Sequence, residues 1–165
     1  MTETAQQYSD RILGNLGKRD PIEVLESTIA RMEALGRAIR NSDSKSQSGR
    51  WSARQLLTHF AEGEIVFAYR LRAILSASGS SIQAYDQDAW VGKAGYLERD
   101  AALALELFKA VRSANLAFLR NLKKEEWQYF GMHSERGKET IEQMVNLMAG
   151  HDLNHLRQLE ELSKN

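Results

Sequence analysis

Residues 140–162 read TIEQMVNLMAGHDLNHLRQLEEL. Thr140 and Gln143 stand three apart, the spacing of a capping box that opens a helix. Ile141, Met144, Met148, Leu159 and Leu162 then recur at helical intervals, so one face of this helix is apolar. His151 and His155 are four apart and share a helix face, one turn from each other. That face is the stripe of Met144, Met148 and Leu159. Two imidazoles are therefore expected to face the interior of whatever the helix packs against.

Upstream, the same logic finds three more long helices. Asp20 and the single proline, Pro21, read as an N-cap and first helical position, where proline forfeits no hydrogen bond. Ile22, Leu25, Ile29, Met32, Leu35 and Ile39 extend that helix over about residues 21–40. The polar run NSDSKSQSG (41–49) reads as a loop. Ser52 with Gln55 opens a second helix that carries Leu56, Leu57, Phe60, Phe67, Leu71 and Ile74 to about Ser76. Residues 77–95 read as a long connection with one helical turn near Asp86–Trp90. A third helix is expected from about Tyr96 to Asn121, and 123–139 reads as irregular. Four amphipathic helices without an alternating strand pattern predict an all-α four-helix bundle. The length of 77–95 allows a crossover at the end of the bundle. The reading is of a single domain over 1–165, with 1–19 as an N-terminal extension.

Composition narrows the chemistry. The chain has 165 residues, 22 basic and 22 acidic side chains, and a formal net charge of zero. That balance offers no electrostatic footprint for nucleic acid. No run approaches 18 apolar residues, so no membrane span is expected. Met1–Asp10 lacks the basic start and apolar stretch of a signal peptide, which makes the cytoplasm the default compartment. There is no cysteine. Disulfides, thiolate metal sites and a cysteine nucleophile are thereby excluded, and any metal must be held by nitrogen and oxygen.

The chain has four histidines. His59, on the second helix, shares the inward stripe, so His59, His151 and His155 could converge from two helices. Neutral imidazole suits zinc, nickel, copper or iron. Three protein ligands leave a position open for water or substrate. Against this stands the plain alternative that each is a core histidine satisfied by a local partner. HDLNH (151–155) is not the HExxH motif of a zincin protease, because Asp152 stands where glutamate would. Asp152 and Asn154 read as solvent-facing groups or as supports of the ligands. Glu62, three residues after His59, is a candidate base or supporting carboxylate. Asp86 and Asp88 in the crossover are further oxygen donors, each with a solvated surface acid as the simpler reading. His133 lies in the irregular stretch GMHSERG, as a loop hydrogen-bonding residue or a substrate contact. Asn115 interrupts the stripe of the third helix without an evident role. Trp51, Trp90 and Trp127 read as residues that close the core.

The segments WSARQLLTHFAEGE (51–64) and HSERGKETIEQMVNLMAGHDLNHLRQLEEL (133–162), with YDQDAW (85–90) and FLRNLKKEEW (118–127) between them, resemble the DinB/YfiT-like superfamily in order. The resemblance implies a four-helix bundle with a long crossover between helices two and three. It also implies a divalent metal on His59, His151 and His155, with zinc, nickel and iron all compatible. Homodimers are common in that family. Some branches transfer a low-molecular-weight thiol, and others are called metal-dependent hydrolases. His133 matches a loop position that is not among the family's three ligands.

The functional expectation is therefore a metal-dependent enzyme, thiol S-transferase-like or hydrolase-like, acting on a small molecule. Its alternatives are a non-catalytic metal-stabilised or metal-sensing bundle dimer, and a structural dimer whose histidines pair with carboxylates. Neither nucleic acid nor membrane is expected as a partner.

Overall fold

The computed structural model describes residues 3–39, 51–93 and 100–163. The expected loop at 41–49 and a third-helix start near Tyr96 lie outside the described residues. Among these described residues, six α-helices run in the order α1 (Ala5–Leu16), α2 (Pro21–Ile39), α3 (Ala53–Ser76), α4 (Gln87–Lys93), α5 (Ala101–Arg120) and α6 (Ile141–Leu162). Three short strands accompany them among the described residues: β1 (Ser81–Ile82), β2 (Phe130–His133) and β3 (Gly137–Thr140).

The caps read from sequence form where expected. Ser52 accepts the backbone N–H of Gln55, whose side chain returns to the Ser52 N–H. Thr140 and Gln143 repeat the arrangement at α6. The Asp20 carboxylate accepts from the N–H groups of Ile22 and Glu23. At α5 the Asp100 carboxylate caps Ala102 with extended backbone at residue 100, which sets the helix start at Ala101.

Helices α2, α3, α5 and α6 form the four-helix bundle. Glu26 pairs with Arg120 and Glu33 with Lys109, so α2 and α5 are antiparallel. Phe60 meets Phe108, Glu64 meets Arg112 and Arg72 meets Asn115, so α3 and α5 run parallel. Parallel neighbours need a long crossover, and the chain between Ser76 and Asp100 supplies it, with β1 and α4 inside. One apolar cluster centres on Leu25, Leu71, Ile74, Ile141 and Val145, and a second on Met32, Leu57, Phe60, Phe108 and Leu156. Among the described residues no helix is long and apolar enough to cross a membrane.

Two parts depart from the sequence reading. First, most of 1–19 is a helix: α1 carries a Thr4/Gln7 capping box and buries Ile12 and Leu16. It lies so close to α6 that a Cβ at Gly150 would overlap the Ile12 carbonyl. Second, 123–139 is ordered. After a 3-10 turn at Lys124–Gln128, β2 and β3 form an antiparallel hairpin, and β1 adds to β2 in parallel, pairing Ile82 with His133. Strands of two to four residues are too short to display the period-2 pattern that identifies a strand.

Candidate metal centre

Three imidazoles meet where α3 faces α6. His59 comes from α3, and His151 and His155 come from consecutive turns of α6. One ligand nitrogen from each lies within 4.8 Å of the others. The ring centroids are 4.9 Å apart for His59–His151, 4.8 Å for His59–His155 and 4.4 Å for His151–His155. His59 and His155 are buried, and His151 is half-buried.

Electrostatics keep all three neutral. Burial, with His155 second, pushes His59 down to about 3. Burial and the other two rings hold His151 well below the ordinary histidine range. His155 is lowered by burial, although a hydrogen bond to Gln158 works the other way. The His155 Nδ1 lies 2.8 Å from the Gln158 side-chain oxygen. An amide oxygen only accepts, so Nδ1 carries the proton and Nε2 presents its lone pair. The Nε2 atoms of His59 and His151 are 2.9 Å apart. Two such nitrogens at that distance share either one proton or one cation. The His151 Nδ1 is buried without a hydrogen-bond partner among the described residues.

Aromatic rings line one side of the group. The Trp51 ring lies 4.7 Å from His59 and 5.9 Å from His155, and Phe60 stands edge-on to His151 and His155. Trp51 and Trp127 pack on the core as expected, whereas Trp90 is 39% exposed and leans on Tyr85. On the other side, His151 borders a cleft of about 750 Å³ walled by α1, α3, α6, the 84–87 segment and the β2–β3 hairpin. Tyr85 lines it, and burial, followed by the neighbouring Tyr8, raises its hydroxyl to about 12.

Among the described residues, none of the carboxylates expected near the histidines belongs to the three-histidine group itself. Glu62 is buried on α3, where its charge acts on Tyr85, and it is not part of the three-histidine group. Asp86 borders the cleft, but its carboxylate caps α4 at the Ala89 N–H. Asp88 is exposed. His133 is buried in β2 and lines the same cleft as His151.

Asp152 does not face solvent. It is fully buried and accepts from Arg112 at 2.6 Å. Arg112, from α5, also donates to Glu64 on α3 at 2.8 Å and to the Leu25 carbonyl on α2. Asn115 donates to the other Glu64 oxygen at 2.8 Å, the role that its position in the stripe left open. Burial opposes the Arg112 charge, yet Asp152 and Glu64 outweigh it and raise its pKa. This network ties all four bundle helices together beside His151. Its sequence signal is Arg112 lying between Phe108 and Leu116 at four-residue steps, a charge inside an apolar stripe. Such a charge requires a buried partner.

The DinB superfamily model matches residues 25–159. The chain belongs to that superfamily. It is 26% identical over 147 residues to "Putative metal-dependent hydrolase YfiT" of Bacillus subtilis, covering 87% of this chain and 82% of that protein. It is 24% identical over 150 residues to "Putative metal-dependent hydrolase OB0782" of Oceanobacillus iheyensis, covering 86% and 87%. The solved structure of Bacillus subtilis YfiT, described as having an unusual four-helix bundle topology, superposes with a TM-score of 0.81 at 22% identity. That match covers 99% of this chain and 89% of that one. The bundle with parallel α3 and α5 is thus a DinB-superfamily fold.

Proposed function

We propose that the protein is a metal-dependent enzyme of hydrolase type, with a divalent cation held by His59, His151 and His155 at the floor of the cleft. The observation that carries this reading is the convergence of three neutral imidazoles within 4.8 Å, one of them bordering a cleft of about 750 Å³. The donor set fits such an ion. Nitrogen-only ligation suits zinc, nickel or iron, and burial already holds each imidazole in the uncharged state that binds metal. The names of the curated relatives point the same way.

When bound, the cation supplies a Lewis acid that makes a water or thiol acidic near neutral pH. The protein's own residues do the rest. Gln158 fixes the His155 ring so that Nε2 faces the other two histidines. Trp51 and Phe60 exclude water from the core side, leaving approach through the cleft. Tyr85 keeps its proton at neutral pH and offers an O–H donor to a substrate in the cleft.

Transfer of a low-molecular-weight thiol is the second reading, favoured by the apolar wall of Met144, Leu147 and Met148 next to His151. A thiol loses little there, whereas a polar nucleophile needs hydrogen-bond partners. The chain has no cysteine of its own, so the thiol would arrive with the substrate.

The test is an assay of metal-loaded, chelator-treated and His155→Ala protein against ester, amide and thiol-acceptor panels. Turnover only in the metal-loaded protein supports an enzyme. Metal binding without turnover on any panel favours the metal-stabilised or metal-sensing bundle. No metal binding at all leaves a structural bundle.

A further inference from the structure

The part of the cleft along Arg70, His133 and Arg136 has a chemistry distinct from the histidine floor. Arg70 stands on α3 eleven residues beyond His59, roughly 16 Å along the helix axis. It borders the same cavity as His151, as do His133 and Arg136. His133 uses its Nδ1 to accept the backbone N–H groups of Glu135 and Arg136 at 3.2 and 3.4 Å. Its proton therefore sits on Nε2, and that Nε2–H is buried without a partner among the described residues. Burial first, then Arg136 and Arg70, hold the ring down to about 4, so it remains a neutral donor at physiological pH. Arg136 engages Glu139 through Nε and one Nη, and Arg70 gives one Nη to the Gln83 carbonyl. Each guanidinium keeps further N–H groups that make no hydrogen bond among the described residues.

We propose that Arg70, His133 and Arg136 form a carboxylate-binding pole, so that the substrate is an elongated small molecule with a carboxylate at one end and its reacting group at His151. An acceptor oxygen would satisfy the orphaned His133 donor, whose burial alone is costly, and arginine forks match a planar carboxylate. Glu135 and Glu139 also border the pole and offset the two arginines. That balance accommodates a monoanion better than a phosphate dianion. The inference rests on the reading of this cleft as the substrate site, and it names the class of molecule that fits it.

Butyrate, a monocarboxylate with an apolar tail, is the probe. It is titrated into the wild type, Arg70→Gln and His155→Ala, with the His133 ring resonance followed by NMR and metal content measured in parallel. Butyrate is expected to shift the His133 signal, to bind His155→Ala within about twofold of the wild type, and to bind Arg70→Gln at least about tenfold more weakly. Unchanged affinity in Arg70→Gln, or binding lost in His155→Ala, overturns the pole. Inorganic phosphate binding more tightly than butyrate overturns the carboxylate assignment. Should Arg70→Gln fail to fold, the unmodified chain still decides, because a His133 resonance unmoved throughout the titration contradicts the proposal. Metal content separates the two claims: a chain that binds butyrate at the pole but no metal refutes the metal centre alone.

Discussion

At the residue scale, the site depends on imidazoles held neutral and correctly turned. Gln158 carries out the turning for His155, and losing such a support typically costs about 10–100-fold in metal affinity. Gln158→Ala is expected to weaken metal binding by that factor while leaving the melting temperature of the metal-free protein nearly unchanged. Titration with a competing chelator measures the first and a thermal melt the second. Arg112 behaves differently. It answers two fully buried carboxylates, Glu64 and Asp152, so Arg112→Met leaves both without their cation. Breaking a buried ion pair from one side costs on the order of 3–5 kcal/mol, and urea unfolding should read a loss of that size. His151, His155 and His59 were legible from sequence because imidazole is rare on an apolar stripe. The partner of Asp152 was not, because Arg112 reaches it from a helix 40 positions away along the chain and meets Glu64 from a third helix. Only topology brings them together.

At the element scale, the capping boxes of α3 and α6 and the periodicity of α2 were enough to place three of the four bundle helices. The same signal was present at Thr4–Gln7 and, with Tyr8, Ile12 and Leu16 at four-residue steps, marks α1. A helix of 12 residues is marginal alone, so it is α6 that stabilises it, through a close approach which glycine at 150 permits. Gly150→Ala places a methyl group against the Ile12 backbone, which cannot rotate away as a side chain would. The expected cost is about 1–3 kcal/mol, together with weaker substrate binding, because α1 is a wall of the cleft. Urea unfolding and a binding titration check the two effects. The hairpin of β2 and β3 was illegible for a different reason. Its order comes from pairing with β1 across the crossover and from Gly131 packing under Ile82, contacts between segments about 50 residues apart.

At the scale of the whole molecule, the parallel arrangement of α3 and α5 leaves the crossover and hairpin to roof one side of α3, and α1 to wall the other side of the cleft. The buried neutral histidines make the metal-free fold acid-sensitive. His59 and His133 titrate near 3 and 4 in the folded chain, against an ordinary value of 6.5. Below about pH 6.5 the unfolded chain takes up protons that the folded chain refuses. Stability therefore falls as pH drops from there towards the folded values, by about 1.4 kcal/mol per pH unit for each such histidine. Chelator-treated protein is expected to lose melting temperature steeply between pH 6.5 and 4 and to be insensitive between pH 7 and 8. A bound metal adds stability through its preference for the folded site, so metal removal at pH 7.5 should lower the melting temperature. The central claim is that three histidines hold one divalent ion. Its most direct test is elemental analysis of wild-type, His59→Ala and His155→Ala protein, each exposed to zinc, nickel or iron and then desalted. The account predicts about one ion per chain in the wild type and a small fraction of that in both variants. Equal, near-zero metal in all three proteins would contradict it.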